Sequence, residues 1–290
     1  MKKCLALLMA LILILMCSAC SREEDKKEKS SSGNNTSPVI SENSATSVPQ
    51  TNQPGSASGI VGNIVTFGSY EQDNNLDNGP EPIEWIVLDV QDGKALLLSR
   101  YGLDCVPYNT ERVDITWENC SLRAWLNSEF LNKAFSTEEQ ASILTTEVDN
   151  SDTQNLDWTQ IMEGWSEKTT GGNNTKDKIF LLSYAEANRY LGASHDDRYN
   201  TRASVAPTAF AIRNGAFISE GYELLDGTKV EGDKTSDGKP AGWWWLRSPG
   251  NYQRKAELVG CSGWLDSETV SNEFGAVRPA FWLNLESGIF

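Results

Sequence analysis

Histidine is almost missing from this chain: His195 is the only one in 290 residues. Cysteine is sparse as well. Cys4, Cys17 and Cys20 crowd into the N-terminal stretch. Cys105, Cys120 and Cys261 are scattered through the rest, with no Cys-x-x-Cys and no Cys/His cluster among them. That scarcity excludes a zinc site of the usual Cys/His kind, and no cofactor motif replaces it. Three cysteines leave two arrangements in an oxidising compartment, one disulfide with a leftover thiol or no disulfide. Positive charge is also short. With 25 Lys+Arg against 40 Asp+Glu, the net charge of −15 argues against a nucleic-acid partner, whose binders carry basic patches. An acidic balance suits solubility in a salty external medium. The chain shows no internal repeat and no strict βαβ alternation, which leaves an α+β class: mixed, mostly antiparallel sheets with a few packed helices.

The first residues set the expected address. Lys2 and Lys3 precede Leu5–Met16, a 12-residue apolar run that is short of the ~20 residues a membrane span needs. Cys17-Ser18-Ala19-Cys20 follows and resembles the lipobox of bacterial lipoproteins, although Cys17 stands where leucine is usual. The resemblance implies a signal peptide over 1–19, lipid attachment at Cys20, and a protein anchored on the extracytoplasmic face of the cell membrane. Residues 20–58 are charged and then rich in Ser, Asn, Thr, Pro and Gly without an aromatic residue, a composition expected of a disordered tether. A flexible segment of that length reaches about 35 Å. Residues 59–290 are then expected to form a single α+β domain.

Within that domain, Ile60–Phe67 alternates like a strand ending at Gly68, and Ile83–Val90 with Lys94–Tyr101 brackets Asp92-Gly93, a hairpin signal. The continuous apolar run Ala95–Leu98 predicts a strand covered on both faces. Apolar residues at three- and four-residue steps predict a helix over Ser121–Phe135. Ser136 with Glu139, and Ser183 with Glu186, are spaced as capping boxes that open further helices. Ile143–Val148 and Lys178–Leu182 read as short strands, Asp149–Asp177 and Gly221–Gly242 as long polar loops. Asp73, Asn75, Asp77 and Glu84 approach the spacing of a calcium loop. Gly79 falls one place late and no helices flank the stretch, so a solvated turn is the plainer reading.

The stretch Trp243-Trp244-Trp245-Leu246-Arg247-Ser248-Pro249-Gly250 organises the C-terminal half. Successive strand side chains point to opposite faces, so three consecutive tryptophans predict at least one facing outward, into a groove, or against another layer. Val277-Arg278-Pro279-Ala280-Phe281-Trp282-Leu283 is a second apolar run with its own arginine, expected as a neighbouring strand. Tyr252, Gln253, Arg254, Trp264 and Asp266 lie between the two. Aromatic and polar side chains interleaved with glycine suit a surface for sugar rings or peptides. The candidate ligand-binding residues are therefore Trp243, Trp245, Arg247, Tyr252, Arg254, Trp264 and Asp266. An ordinary exposed loop is the competing reading.

Phe67-Gly68-Ser69-Tyr70, Ile83–Leu88, Ser121–Asn127, Trp245–Gly250 and Val277–Phe281, taken in this order, resemble an uncharacterised bacterial family, the domain of unknown function numbered 6273. The end of that family in turn resembles the C-type-lectin-like fold of formylglycine-generating enzymes and phage variable receptor proteins. There a Trp-rich strand and a terminal Arg-bearing strand bracket a ligand-facing surface. The cysteine pair of formylglycine-generating enzymes is not reproduced, so that activity is not implied.

Two other chemistries were weighed on the residues. Cys261 with His195 would make a thiol nucleophile if the fold joined them, but a small strand cysteine is the plainer reading. Arg123, Arg247 and Arg278 suit anions, or else serve as structural arginines paired with an acid or a carbonyl. The expectation is a non-catalytic, surface-anchored domain binding a glycan, peptide or protein. The alternatives are an extracellular enzyme acting on cell-wall or glycan substrates and a structural accessory domain contacting other surface proteins.

Overall fold

A computed structural model of the chain describes residues 60–288 except 163 and 166. The expected signal peptide, Cys20 and the tether lie outside the described residues. The strands are β1 (Ile64–Tyr70), β2 (Glu81–Gln91), β3 (Lys94–Ser99), β4 (Asp104–Cys105), β5 (Thr146–Val148), β6 (Thr175–Asp177), β7 (Tyr222–Glu223), β8 (Lys229–Val230), β9 (Trp244–Pro249), β10 (Lys255–Val259), β11 (Leu265–Thr269), β12 (Ala276–Val277) and β13 (Ala280–Asn284). They build a four-stranded antiparallel sheet, β1-β2-β3-β13, and a five-stranded mixed sheet, β11-β10-β9-β12-β4, beside two two-stranded antiparallel ladders, β5-β6 and β7-β8. With helices packed among the sheets, the class is α+β.

The first sheet follows from its turns. Asp92 and Gly93 both take positive φ, 50° and 70°, as a tight hairpin between β2 and β3 requires. Ala95, Leu96, Leu97 and Leu98 are all buried, so β3 is covered on both faces as its unbroken apolar run implies. β1 starts later than expected and runs through Gly68 instead of stopping there. Gly68, at φ 68°, sits in a register shift against β2, and a Cβ there would lie 2.5 Å from the Ala134 carbonyl. The glycine that looked like a terminator is the residue that lets β1 bulge beneath the helices.

Those helices are Ser121–Trp125, continued by a π-helical turn over Leu126–Phe130 into Leu131–Ala134, and then Thr137–Ser142. Leu122, Leu126, Phe130 and Leu131 form the buried face. Both capping boxes are present: Ser136 with Glu139, and Ser183 with Glu186, which opens the helix Tyr184–Leu191 that ends at Gly192 in the left-handed region. One reading is corrected. Lys178–Leu182 forms no ladder; Phe180 makes one isolated bridge to Ala280. Ser204–Gly215 contains a short helix, Ala209–Arg213, capped by Thr208. Pro207 precedes that cap and does not break the helix.

The Trp-rich strand and the terminal Arg-bearing strand are neighbours: Ala276 in β12 pairs in parallel with Trp244 in β9. The chain then leaves the mixed sheet at Arg278-Pro279, and β13 joins the other sheet against β3. One apolar run thus stitches two sheets together.

All three tryptophans are buried, so none faces outward and the alternative of packing against another layer holds. The reason is that β9 is central and covered on both faces. Trp243 and Trp245 lie on one side with ring centroids 4.9 Å apart, and Tyr108 packs 6.0 Å from Trp245. Trp244 lies on the other side, where its indole N–H donates to the Ala203 carbonyl at 3.0 Å. Gly275 makes room for the pair, since a Cβ there would sit 2.4 Å from the Trp245 Nε1 and 2.5 Å from the Trp243 ring. None of Cys105, Cys120 and Cys261 is in a disulfide.

Candidate functional site

The β10–β11 hairpin carries what the core leaves accessible. Gly263, at φ 90°, closes its turn, and a Cβ there would fall 1.8 Å from the Asn200 carbonyl oxygen. The bare Cα of Gly260 lets the Trp264 indole lie over it. Trp264 is half-buried, with the Arg198 guanidinium 5.4 Å from its ring and the His195 ring 6.0 Å away. His195 meets Trp158 edge-on at 4.8 Å.

A second aromatic cluster stands at the other end of the same strand. Tyr252 packs edge-on against Trp165 at 4.7 Å, and the Arg254 guanidinium lies 4.5 Å over the Tyr252 ring. Tyr252 and Arg254 precede β10 and Trp264 follows it. The expected residues therefore do not make one patch but two, separated by a five-residue strand of about 17 Å.

A strap over residues 150–172 spans both clusters, with Trp158 at the first and Trp165 at the second. It is tied down at the Tyr252 end: Thr169 Oγ1 donates to the Gly250 carbonyl at 3.0 Å, and the Thr170 N–H donates to Gln253 Oε1 at 3.0 Å. Gln253 Nε2 donates back to the carbonyls of Thr170 and Ile115. The strap encloses an open cavity of about 150 Å³ lined by Asp152, Asp157, Trp158 and Glu167 among others. Asn155 also lines it, and its buried side-chain N–H group has no hydrogen-bond partner. Carboxylates, an indole and an amide donor are the groups that hold hydroxyl-rich rings.

Three expected ligand-binding residues are instead structural. Trp243 and Trp245 are core. Arg247 is 2 % exposed; it pairs with Glu186 and donates to the carbonyls of Leu181 and Asp149 and to Asn150 Oδ1. Every direction its guanidinium can point is already met by an acceptor. Asp266 is half-buried, and burial raises its carboxyl above the usual range while the Ser267 N–H donates to it. Arg123 is likewise structural, held by Asp177 at 2.7 Å. The residues missed are Trp158, Trp165 and Arg198. Their signal was a pair of tryptophans in an otherwise polar loop, which solvent alone would not keep ordered.

Burial lowers His195 to a pKa of about 4, so the imidazole is neutral at neutral pH and packed between two indoles. Glu257 is fully buried, and desolvation pushes its carboxyl well above the ordinary range. The Trp158 N–H and Leu156 N–H are its nearest donors, yet neither carboxyl oxygen reaches hydrogen-bonding geometry. A carboxyl sealed from solvent has no route to a substrate. Burial also pushes the Cys105 and Cys120 thiols up to about 12, far from the thiolate a nucleophile needs. Glu71, Asp73 and Glu81 bring carboxylate oxygens within 4.8 Å of one another. Their oxygens accept from Gln72, Asp73 and Asn75 N–H groups, as a turn does. Glu84, the last residue of the calcium-loop-like spacing, pairs with Arg100, in keeping with the solvated-turn reading.

Residues 92–285 match the family model described as Domain of unknown function (DUF6273). No curated protein and no solved structure matches the chain.

Proposed function

We propose that this chain, which belongs to the DUF6273 family, is a non-catalytic binding protein that holds a glycan chain at the outer face of a cell membrane. The observation that carries the reading is the strap laid along β10, with an aromatic cluster at each end and an acid-lined cavity between. Aromatic faces give a sugar ring its apolar contact, and carboxylates accept from its hydroxyls. The lipobox-like Cys17–Cys20 stretch supports anchoring through Cys20, and the Ser/Asn-rich residues after it support a spacer. A C-type-lectin-like C-terminal half belongs to the same proposal. Its support is the adjacency of β9 and β12, the Trp-rich and Arg-bearing strands.

The test is a glycan and peptidoglycan array probed with the full chain, followed by turnover assays on every hit. Saccharide binding without turnover is the expected result. Turnover that disappears in Cys261→Ala and His195→Ala would establish the enzyme reading instead. An array with no hits and pull-down of surface proteins alone would leave an accessory domain.

A further inference from the structure

Three arginines sit in the apolar motifs of this chain, and they have different surroundings. Arg123 has Asp177 and Arg247 has Glu186. Arg278, 2 % exposed, has no acidic partner within salt-bridge distance among the described residues. Its Nε donates to the Ser99 carbonyl at 2.9 Å and its guanidinium lies 4.8 Å from the Trp244 ring centroid, but Nη1 is buried with no hydrogen-bond partner. Proteins rarely keep a buried positive charge without a counter-charge, because desolvation is then uncompensated. Burial alone lowers this guanidinium to a pKa of about 9.

The same side chain lines a cavity of about 200 Å³. The hydroxyls of Thr201 and Ser236 share the lining, as do the aliphatic side chains of Ile64 and Ile86; Ser204 and Thr235 also line it, but their hydroxyls already donate to the Asn200 carbonyl and to Asp237, a lining carboxylate that Arg100 pairs with. Of the other two cations there, one is paired with acids and one is exposed to solvent. Arg100 pairs with Glu84 and Asp237, and Arg202 donates to the Tyr190 carbonyl at 3.3 Å. One uncompensated buried positive charge therefore opens on a cavity with hydroxyl donors and apolar walls. No residue lining it belongs to either aromatic cluster or to the strap.

We propose that this cavity binds a small monocarboxylate, whose oxygens accept from the Arg278 guanidinium and the neighbouring hydroxyls while its aliphatic stem lies against Ile64 and Ile86. One guanidinium matches the single charge of a carboxylate, in the geometry that planar group recognises best. A phosphate dianion brings a second charge, for which the remaining lining cation without an acidic partner is the solvent-exposed Arg202, and it has no apolar part for the isoleucines. A free short-chain acid and the terminus of an amino acid or peptide both offer this carboxylate; the chemistry is shared, and the ligand set separates the sources.

The experiment titrates the full chain with butyrate, an α-amino acid, a dipeptide, inorganic phosphate and chloride at constant ionic strength, reading the thermal midpoint and calorimetric binding. At least one carboxylate is expected to raise the midpoint in proportion to its concentration, as a ligand of the folded state does; phosphate and chloride are not. Ser236→Trp, at an exposed lining position, should weaken that binding at least tenfold while leaving the ligand-free midpoint in place. Arg278→Met should abolish the response without lowering the ligand-free midpoint, since it removes an unpaired buried charge. No carboxylate response, an equal response to phosphate, or an unchanged response in Ser236→Trp would each overturn the proposal. Because the Ser236 variant does not touch the core, the outcome stands even if Arg278→Met fails to fold.

Discussion

The Arg247 guanidinium closes on the Glu186 carboxylate, the same carboxylate that caps its own helix by accepting from the Ser183 N–H at 2.9 Å. Helix start and sheet centre thus share one acid. Arg247→Met should destabilise the protein by about 3 to 5 kcal/mol, because it leaves Glu186 and two carbonyls unanswered in a buried setting. Glu186→Gln keeps the cap acceptor and should cost less. Chemical denaturation of both single variants and the double variant gives the coupling between the two side chains. Additive losses would mean that the pair contributes no specific energy.

Gly275 is the second place where one atom decides the packing. An added Cβ would stand 2.4 Å from the Trp245 Nε1 and 2.5 Å from the Trp243 ring, and neither indole has an open side to move into. Gly275→Ala should cost roughly 1 to 3 kcal/mol through overpacking. The denaturant midpoint should fall with its slope unchanged, and near-ultraviolet dichroism from the tryptophans should shift with it. An unaltered midpoint would show that β9 can slide to make room.

Much of this packing was legible in the sequence, and the failures share a cause. Local signals held: the Asp92-Gly93 turn, both capping boxes and the doubly covered Ala95–Leu98 strand each depend on residues within a few positions of one another. Outward exposure of a Trp243–Trp245 side chain did not hold, because that depends on which strands flank β9, and Val277 comes from far along the chain. Arg247 could not be told from Arg278 by pattern, since each stands in an apolar motif with a proline one or two residues on. Only the arrival of Glu186 at one and of no acid at the other separates them. The strap reads in sequence only as a long polar loop, because Thr169 and Thr170 find their partners, Gly250 and Gln253, far along the chain.

His195 and Glu257 titrate the same region in opposite senses. His195 has a folded pKa of about 4 against an ordinary value of 6.5, so the unfolded chain takes up a proton in that window that the folded chain refuses. Stability is fully present above 6.5 and is lost as pH falls toward 4. Allowing for the half-exposed ring, the loss should be about 1 to 2 kcal/mol. His195→Gln should remove that slope. Glu257 is raised, so the folded state holds a proton the unfolded state gives up, and its contribution falls as pH rises above the ordinary carboxylate range. Glu257→Gln should therefore raise stability at neutral pH relative to wild type. Parallel stability–pH curves for wild type and either variant would contradict the assignment.

Anchoring makes a prediction independent of the folded part. If Cys20 carries the lipid, wild type partitions with membranes, and Cys20→Ser is released or stalls in processing. Fractionation followed by immunoblotting reads this directly. Wild type found entirely in the medium would remove the anchor from the proposal.

The two aromatic clusters give the sharpest test of the binding surface, because about 17 Å of strand lies between them. A ligand of one or two sugar rings is too short to touch both, while a longer chain laid along the strap reaches Trp264 and Arg198 at one end and Tyr252, Arg254 and Trp165 at the other. Tyr252→Ala and Trp264→Ala should each weaken an extended glycan about tenfold, on the order of 1.4 kcal/mol. Against a short fragment only one of the two should matter, and which one it is identifies the end that fragment occupies. Arg254→Ala should follow Tyr252→Ala, since the guanidinium stacks on that ring. Thermal midpoints should stay near wild type, because all three side chains are half-exposed and lie outside the shared core. If both aromatic variants weaken a disaccharide equally, the ligand does not run along β10, and the strap would be a structural cover whose tryptophans pack the hairpin and contact nothing else.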